Sequence, residues 1–297
     1  MPSLFFLPNP FFRFKQVSIP WKDHLSNPFF AHLQSNYFHD MSGFFCQSLS
    51  HESPTFFLPI DPKSHGVPDQ HLSFLPERVD VRTSCNGILC CQGRRNDKAY
   101  YLCNPVTQKW RKLPRHSADH GCDPAIVLTI ESSPDFLTEY KIVCAFQSPH
   151  GCEFEVYFSA EGRWRISGDI HFGNRKPISA SGISVNGIVY WRTNQLYHLT
   201  FDLMTERSKL LFGGTHMGTL GVIDGKLCTT FIDGRVLVVK VLSNPYTNTM
   251  PIDSEVKTWE DKMRIRLPKS VRKDSTLSAW KKFEEYDYGR VVSASGN

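Results

Sequence analysis

No apolar run in this chain approaches the roughly 20 residues that a membrane span needs, so no membrane partner is expected. The first residues are rich in phenylalanine. Pro2, Pro8 and Pro10 break that run and no basic region precedes it, unlike a secretory signal. Charge of one sign is also scarce. The 34 Lys and Arg exceed the 29 Asp and Glu by only +5, which permits an acidic partner without requiring one. Two basic clusters stand out, Arg94-Arg95 with Lys98, and Arg264, Arg266 and Lys269 with Arg272-Lys273. Neither is interleaved with aromatics as a nucleic-acid surface would be, and both read as solvated loops. Nucleic acid is therefore not an expected partner. The chain has no Gly-x-Ser-x-Gly nucleophile motif. Its glycine-rich stretch Gly213-Gly214-Thr215-His216-Met217-Gly218 lacks the Gly-Lys-Ser/Thr ending of a phosphate loop and reads as a connection. No catalytic residue and no cofactor is assigned, and an enzyme is not expected.

The nine cysteines are odd in number, and Cys90, Cys103, Cys144 and Cys228 sit inside apolar runs. Free cysteine behaves there as a small hydrophobe. The expected compartment is reducing, cytoplasm or nucleus. His116, His120 and Cys122 lie close enough in sequence to suggest zinc, but no fourth ligand accompanies them and they read as a polar loop. Cys85, Cys90 and Cys91 lack metal-ligand spacing, and Cys90 and Cys91 would point to opposite faces of one strand. No metal site is expected.

What the 297 residues do contain is aromatic mass and punctuation: 22 Phe, and 19 Pro and 19 Gly scattered along the chain. That suits many short strands joined by turns. A module recurs through the body: an Asx-Gly turn, a strand, a loop, a strand, an Asx-x-x-Thr turn, then an aromatic or apolar strand. It is clearest over residues 84–114, SCNGILCCQGRRNDKAYYLCNPVTQKWRKLP. Related copies cover 140–164, 183–211 with Asn186-Gly187 and Asp202-Leu203-Met204-Thr205, and a stretch from Asp224-Gly225 to Trp259. Units of this length with several strands each point to a β-propeller. A β-sandwich or distorted barrel is the alternative from the same strands. Trp110, Trp164, Trp191 and Trp259 are expected in the blade cores. Residues 288–295 read as a strand that leaves an unpaired edge where the chain stops.

The N-terminal end differs. Phe14, Val17, Trp21 and Leu25 recur at helical steps. Pro20 fits the first turn of a helix capped by Ser18. Leu7-Pro8, then Arg13-Phe14-Lys15-Gln16-Val17-Ser18, Trp21 and Asn27-Pro28-Phe29-Phe30 resemble the second half of a plant F-box; the first half would lie before Met1. Further on, Ser84-Cys85-Asn86-Gly87-Ile88-Leu89, Cys103-Asn104-Pro105-Val106-Thr107 with Trp110, and Val185-Asn186-Gly187-Ile188-Val189-Tyr190-Trp191 with Phe201-Asp202 resemble the F-box-associated domain of plant F-box proteins.

The fold class expected is mainly β, a β-propeller-like domain over 36–297 with its last blade incomplete, preceded by a helical F-box remnant over 1–35. The resemblance implies a substrate-recognition subunit of an SCF-type cullin–RING ubiquitin ligase acting in protein ubiquitination through protein–protein contacts. Leu7, Pro8, Phe14, Val17, Trp21 and Leu25 would meet the Skp-type adaptor of the cullin complex, and the β domain would hold an unknown protein substrate. A shortened F-box leaves a second expectation, a stand-alone interaction domain uncoupled from the ligase. Substrate contacts are expected from the loops 92–98, 116–123 and 244–249, because loops vary on a rigid scaffold.

Overall fold

The computed structural model describes residue 19 and residues 41–47, 55–60, 67–132, 138–214, 216, 218–243, 259–267 and 290–295. The expected F-box remnant over 1–35, with Leu7, Pro8, Phe14, Val17, Trp21 and Leu25, lies outside them, as does the loop 244–249.

The described strands form five antiparallel sheets. The first joins β1 (Met41–Gln47), β2 (Phe56–Pro59) and the C-terminal β19 (Arg290–Ser295) in the order β19-β1-β2. The second holds β3 (Val79–Cys85), β4 (Ile88–Gly93), β5 (Tyr100–Asn104) and β6 (Lys109–Lys112). The third holds β7 (Ala125–Ser132), β8 (Thr138–Ser148), β9 (Gly151–Phe158) and β10 (Arg163–His171). The fourth holds β11 (Ile183–Val185), β12 (Ile188–Arg192), β13 (Tyr197–Asp202) and β14 (Arg207–Phe212). The fifth holds β15 (Thr219–Ile223), β16 (Lys226–Asp233), β17 (Val236–Leu242) and β18 (Trp259–Arg266).

Each four-stranded sheet is a meander in chain order. The first strands β3, β7, β11 and β15 neighbour one another in turn, and β19 lies beside β3. First strands are thus innermost and fourth strands outermost, the arrangement of propeller blades. Burial follows: β5 is buried along most of its length, whereas β6 is exposed throughout. The fold is β-propeller-like, and no helix among the described residues is long and apolar enough to cross a membrane.

The period-2 alternation of a strand divides each blade between two cores. On β4 and β5, Cys91, Tyr101 and Cys103 meet Phe45 and Phe57 of the first sheet. Their neighbours Cys90, Tyr100 and Leu102 meet Ile126, Ile142 and Trp164 of the third. On β9, Phe154 and Val156 pack with Val189, Trp191 and Phe201 of the fourth sheet, while Tyr157 turns back to the second. Each large apolar side chain buried this way contributes roughly 1.5–3 kcal/mol. A blade alone would leave one such face in water, so neighbouring blades stabilise each other. The cysteines expected in the cores are there: Cys90, Cys103, Cys144 and Cys228 are free and buried.

The structure corrects three sequence expectations. The recurring module has four strands rather than three. Its Asx-Gly turn joins a first strand to the second, and that first strand is β3, β11 or β15. In the third sheet β7 is followed by no Asx-Gly turn, which is why its apolar run Ala125-Ile126-Val127-Leu128 fell outside the module. The C-terminal strand is not left unpaired. β19 pairs antiparallel with β1 from Met41–Ser295 to Gln47–Arg290, taking the innermost place that first strands hold elsewhere.

The tryptophans also divide. Trp164 on β10 donates its Nε1–H to the Pro114 carbonyl at 3.0 Å, and Trp259 on β18 donates to the Phe212 carbonyl at 2.7 Å. In both, the fourth strand of one blade is tied to the chain leaving the fourth strand of the blade before. Trp110 holds the corresponding fourth-strand place on β6 but is 45% exposed, edge-on to Tyr101 at 5.9 Å. Among the described residues, the sheet before it has three strands and offers Trp110 no such carbonyl. Trp191 is in the core as expected, but on a second strand, 6.1 Å from Phe154.

Candidate interaction surface

Meander connectivity sends the turns between first and second, and third and fourth, strands to one end of the blades. The loops between second and third strands, and the crossings between blades, go to the other. The described turns at the first of these ends are tight and repetitive. Asn86-Gly87, Asn186-Gly187 and Asp224-Gly225 have positive φ at both residues, 47° and 74°, 51° and 78°, 52° and 69°. This is the hairpin turn that Asx-Gly favours. Asn104 Oδ1 accepts the N–H groups of Val106 and Thr107 at 2.9 and 3.0 Å; Asp202 Oδ1 accepts those of Met204 and Thr205 at 2.8 and 3.1 Å. The two turns are equivalent, as their sequences suggest, and Asp202 and Asp224 hold the turn positions expected of them.

The loop end carries the larger and more varied connections. In the loop 92–98, Gln92 is a buried strand residue, and only Arg95, Asn96 and Asp97 are fully exposed. Arg94 pairs with Asp80 at 2.8 Å and Lys98 with Asp119 at 3.4 Å. Arg264 likewise pairs with Asp261 at 2.7 Å. The first cluster lies at a loop, as expected, but Arg264 and Arg266 lie on the exposed strand β18 rather than in a solvated loop.

The loop 116–123 is held from beneath rather than free. Arg82, 2% exposed, donates through Nε to Gln92 Oε1 at 3.0 Å, and through its other nitrogens to Asp80, Asp123 and the Cys122 carbonyl. Gln92 donates to the Gly121 carbonyl at 3.3 Å. Tyr100 Oη lies 2.8 Å from His120 Nδ1, and His120 Nε2 lies 2.6 Å from Glu155 Oε2. Glu155 also accepts the Ser117 N–H at 2.9 Å, the Ser117 hydroxyl at 2.5 Å and the Ala118 N–H at 3.3 Å. An ionised carboxylate can only accept, so His120 donates from Nε2 and its Nδ1 accepts the Tyr100 hydroxyl. Burial alone would raise the Glu155 carboxyl, but the bonds from His120 and Ser117 outweigh it and hold the pKa at about 2. Burial pushes His120 below the usual histidine range. The buried polar chain from Arg82 to Glu155 fixes the crossing between the second and third blades. Ser117, Asp119, Cys122 and Asp123 remain exposed on its outer side.

Cys122 is not part of any metal-like grouping here; Glu155 is. Ligand atoms of His116, His120 and Glu155 lie within 4.8 Å of one another. The two imidazoles are stacked, centroids 4.4 Å apart and 17° from parallel. Their in-plane lone pairs therefore run side by side instead of converging. Both His120 nitrogens and the Glu155 carboxylate are already hydrogen-bonded. The arrangement is a buttress.

Sequence reasoning did not single out a group of exposed apolar and basic side chains at the loop end. Leu196 and Phe212 of the fourth sheet are 42% and 46% exposed, and Phe172, in the crossing from the third sheet, is 71% exposed. Arg175 lies 4.7 Å over the Tyr197 ring, which meets Phe212 edge-on at 5.6 Å. The segment 174–176 is tied to the β12–β13 turn, Lys176 N donating to Asn194 Oδ1 at 3.0 Å and Asn194 N to the Lys176 carbonyl at 3.1 Å. The available signal was the run Phe172-Gly173-Asn174-Arg175-Lys176, polar and punctuated around one phenylalanine.

Stacked four-stranded meanders whose first strands neighbour one another in turn define a β-propeller-like domain. Residues 59–223, which span the second to fourth blades, match the F-box associated beta propeller domain, and the chain belongs to that family. Among curated relatives, F-box protein At5g07610 of Arabidopsis thaliana is 27% identical, over 89% of this chain and 68% of its own length. F-box protein At5g49610 of the same plant is 35% identical, over 35% of this chain and 28% of its own length. F-box only protein 6, also of Arabidopsis thaliana, is 23% identical, over 67% of this chain and 43% of its own length. The chain thus aligns with about a quarter to two thirds of these relatives.

Proposed function

We propose that this chain is a substrate-recognition subunit of an SCF-type cullin–RING ubiquitin ligase. Residues 1–35 act as the adaptor-binding segment, with Leu7, Pro8, Phe14, Val17, Trp21 and Leu25 against a Skp-type adaptor. Residues 36–297 hold a target protein through the loop end of the propeller-like domain. The action is non-catalytic: tethering raises the local concentration of the target beside the ligase. The observation that carries the reading is the family match across three consecutive blades. Nine free cysteines support a reducing compartment, cytoplasm or nucleus.

The test is co-purification of the full chain with a Skp-type adaptor, beside a Val17→Asp variant. Stoichiometric complex with the parent and none with the variant is the expected result. A chain that keeps its β circular dichroism but forms no complex would overturn the coupling to the ligase and leave a stand-alone interaction domain.

A further inference from the structure

At the loop end, a small open cleft lies between the β12–β13 turn and the β14–β15 connection. His198 lines it. This residue is 5% exposed, yet neither Nδ1 nor Nε2 has a hydrogen-bond partner. A neutral imidazole carries one N–H donor and one lone pair, and leaving both unmet in a buried place is costly. The ring is held from the other side by Trp259, edge-on at 5.8 Å.

The surroundings are built for one sign of charge. Arg192 sits directly across the ladder from His198. Burial, and then the Arg192 charge, bring His198 down to about 4. His216 lies at the cleft with its ring stacked on Phe231 at 4.5 Å. None of the residues lining the cleft is acidic. One wall is fixed, because Thr193 Oγ1 donates to the Tyr197 carbonyl at 2.7 Å and accepts the Gln195 N–H at 3.2 Å. The opposite wall lacks a side chain where one would block it. A Cβ on Gly213 would stand 2.7 Å from His198 Nε2 and 3.2 Å from the Leu196 carbonyl oxygen. Gly213 does not have a positive φ, so what its glycine provides is space.

We propose that this cleft takes the carboxylate of an acidic residue in the target polypeptide, one oxygen accepting the N–H of His198 while Arg192 supplies positive charge. The inference rests on the reading of the domain as a binder of proteins, and it names the chemistry of one subsite. The neighbouring Phe172, Leu196 and Phe212 would meet apolar residues flanking that acid.

The experiment follows the imidazole nitrogens of His198 by NMR in the 15N-labelled full chain. The probes are sodium acetate, an acetylated hexaglutamate amide and inorganic phosphate, with sodium chloride at matched ionic strength. Saturable shifts at His198 with both carboxylate probes, and none with chloride, are expected. Arg192→Gln should weaken them roughly tenfold. Gly213→Ala should abolish them, and Arg192→Gln keeps the test decisive if Gly213→Ala does not fold. Equal shifts with chloride, no saturation with either carboxylate, or saturation with inorganic phosphate alone would each overturn the proposal. No adaptor is present, so failure here leaves adaptor binding intact, and failure of adaptor binding leaves this result standing.

Discussion

His120 Nε2 and Glu155 Oε2 lie 2.6 Å apart between the second and third blades, and neither side chain has any exposure. The pair sets the acid limit of the fold. Glu155 titrates at about 2 when folded, against 4.5 in its absence. A depressed carboxylate gives stability that is complete above the unfolded value and is lost as pH falls towards the folded one. Over that window the loss is roughly 3 kcal/mol. His120 and His198 are also depressed, both chiefly by burial. Their unfolded forms take up protons below about pH 6.5 while the folded forms resist, so they too cost stability as pH falls. Urea midpoints measured at pH 7.5, 5.5 and 4 should fall in that order, and a flat series would refute the account. At pH 7.5, Glu155→Ala should cost about 3–5 kcal/mol, because it strands the donors that converge on the carboxylate.

The inter-blade tryptophan bonds predict an uneven response to one conservative change. Trp164→Phe removes the donor to the Pro114 carbonyl and some buried area, and should cost about 1–2 kcal/mol. Trp259→Phe acts at a more exposed bond and should cost about 0.5–1 kcal/mol. Trp110→Phe breaks no such tie and should stay within about 0.5 kcal/mol of the parent. Denaturant midpoints for the three variants check the ranking. An equal loss at Trp110 would mean that it too is clasped by a neighbouring blade.

Much of the architecture was legible because turns carry local chemistry. Asn86-Gly87 and Asn186-Gly187 need no tertiary context to bend as they do, and Asn104 and Asp202 bond their own backbone. Strand alternation likewise sorted Cys90 from Cys91. What was not legible depends on partners far away in sequence. Trp110 and Trp164 look alike in the chain, but among the described residues Trp164 meets the carbonyl of Pro114 and Trp110 meets none. Glu155 reads as an ordinary strand carboxylate until residues 117–120 fold over it. The pairing of β19 with β1 joins residues some 250 positions apart, and no local pattern encodes it. The cleft at His198 was hidden for the same reason: its walls come from two connections, and its space comes from a glycine with unremarkable backbone angles.

The turns and the close approaches predict two kinds of glycine cost. Gly187 has φ 78° with no atom near a would-be Cβ, so Gly187→Ala should lose about 1–2 kcal/mol through backbone strain alone. Asn186→Gly keeps the same turn and should be nearly neutral. Gly182 is the opposite case. A Cβ there would lie 2.3 Å from Val127 Cγ2 and 2.6 Å from Trp191 Nε1, so Gly182→Ala should cost about 1–3 kcal/mol by overpacking the contact between the third and fourth blades. Thermal or urea unfolding distinguishes these outcomes, and a neutral Gly182→Ala would place Trp191 elsewhere.

Thiol reactivity tests the packing of all blades at once. Cys122 is exposed, Cys85 is half-buried, and the other seven cysteines are buried. Burial pushes the Cys90 and Cys152 thiols up to about 12, so they hold no thiolate at neutral pH. Native protein mixed with Ellman's reagent at pH 8 should therefore give one fast equivalent, and all nine should appear in denaturant. Cys122→Ser should remove the fast equivalent and leave the total one lower. Several fast equivalents in the native chain would mean that the faces between the blades open to solvent, and the stacked arrangement would have to be abandoned.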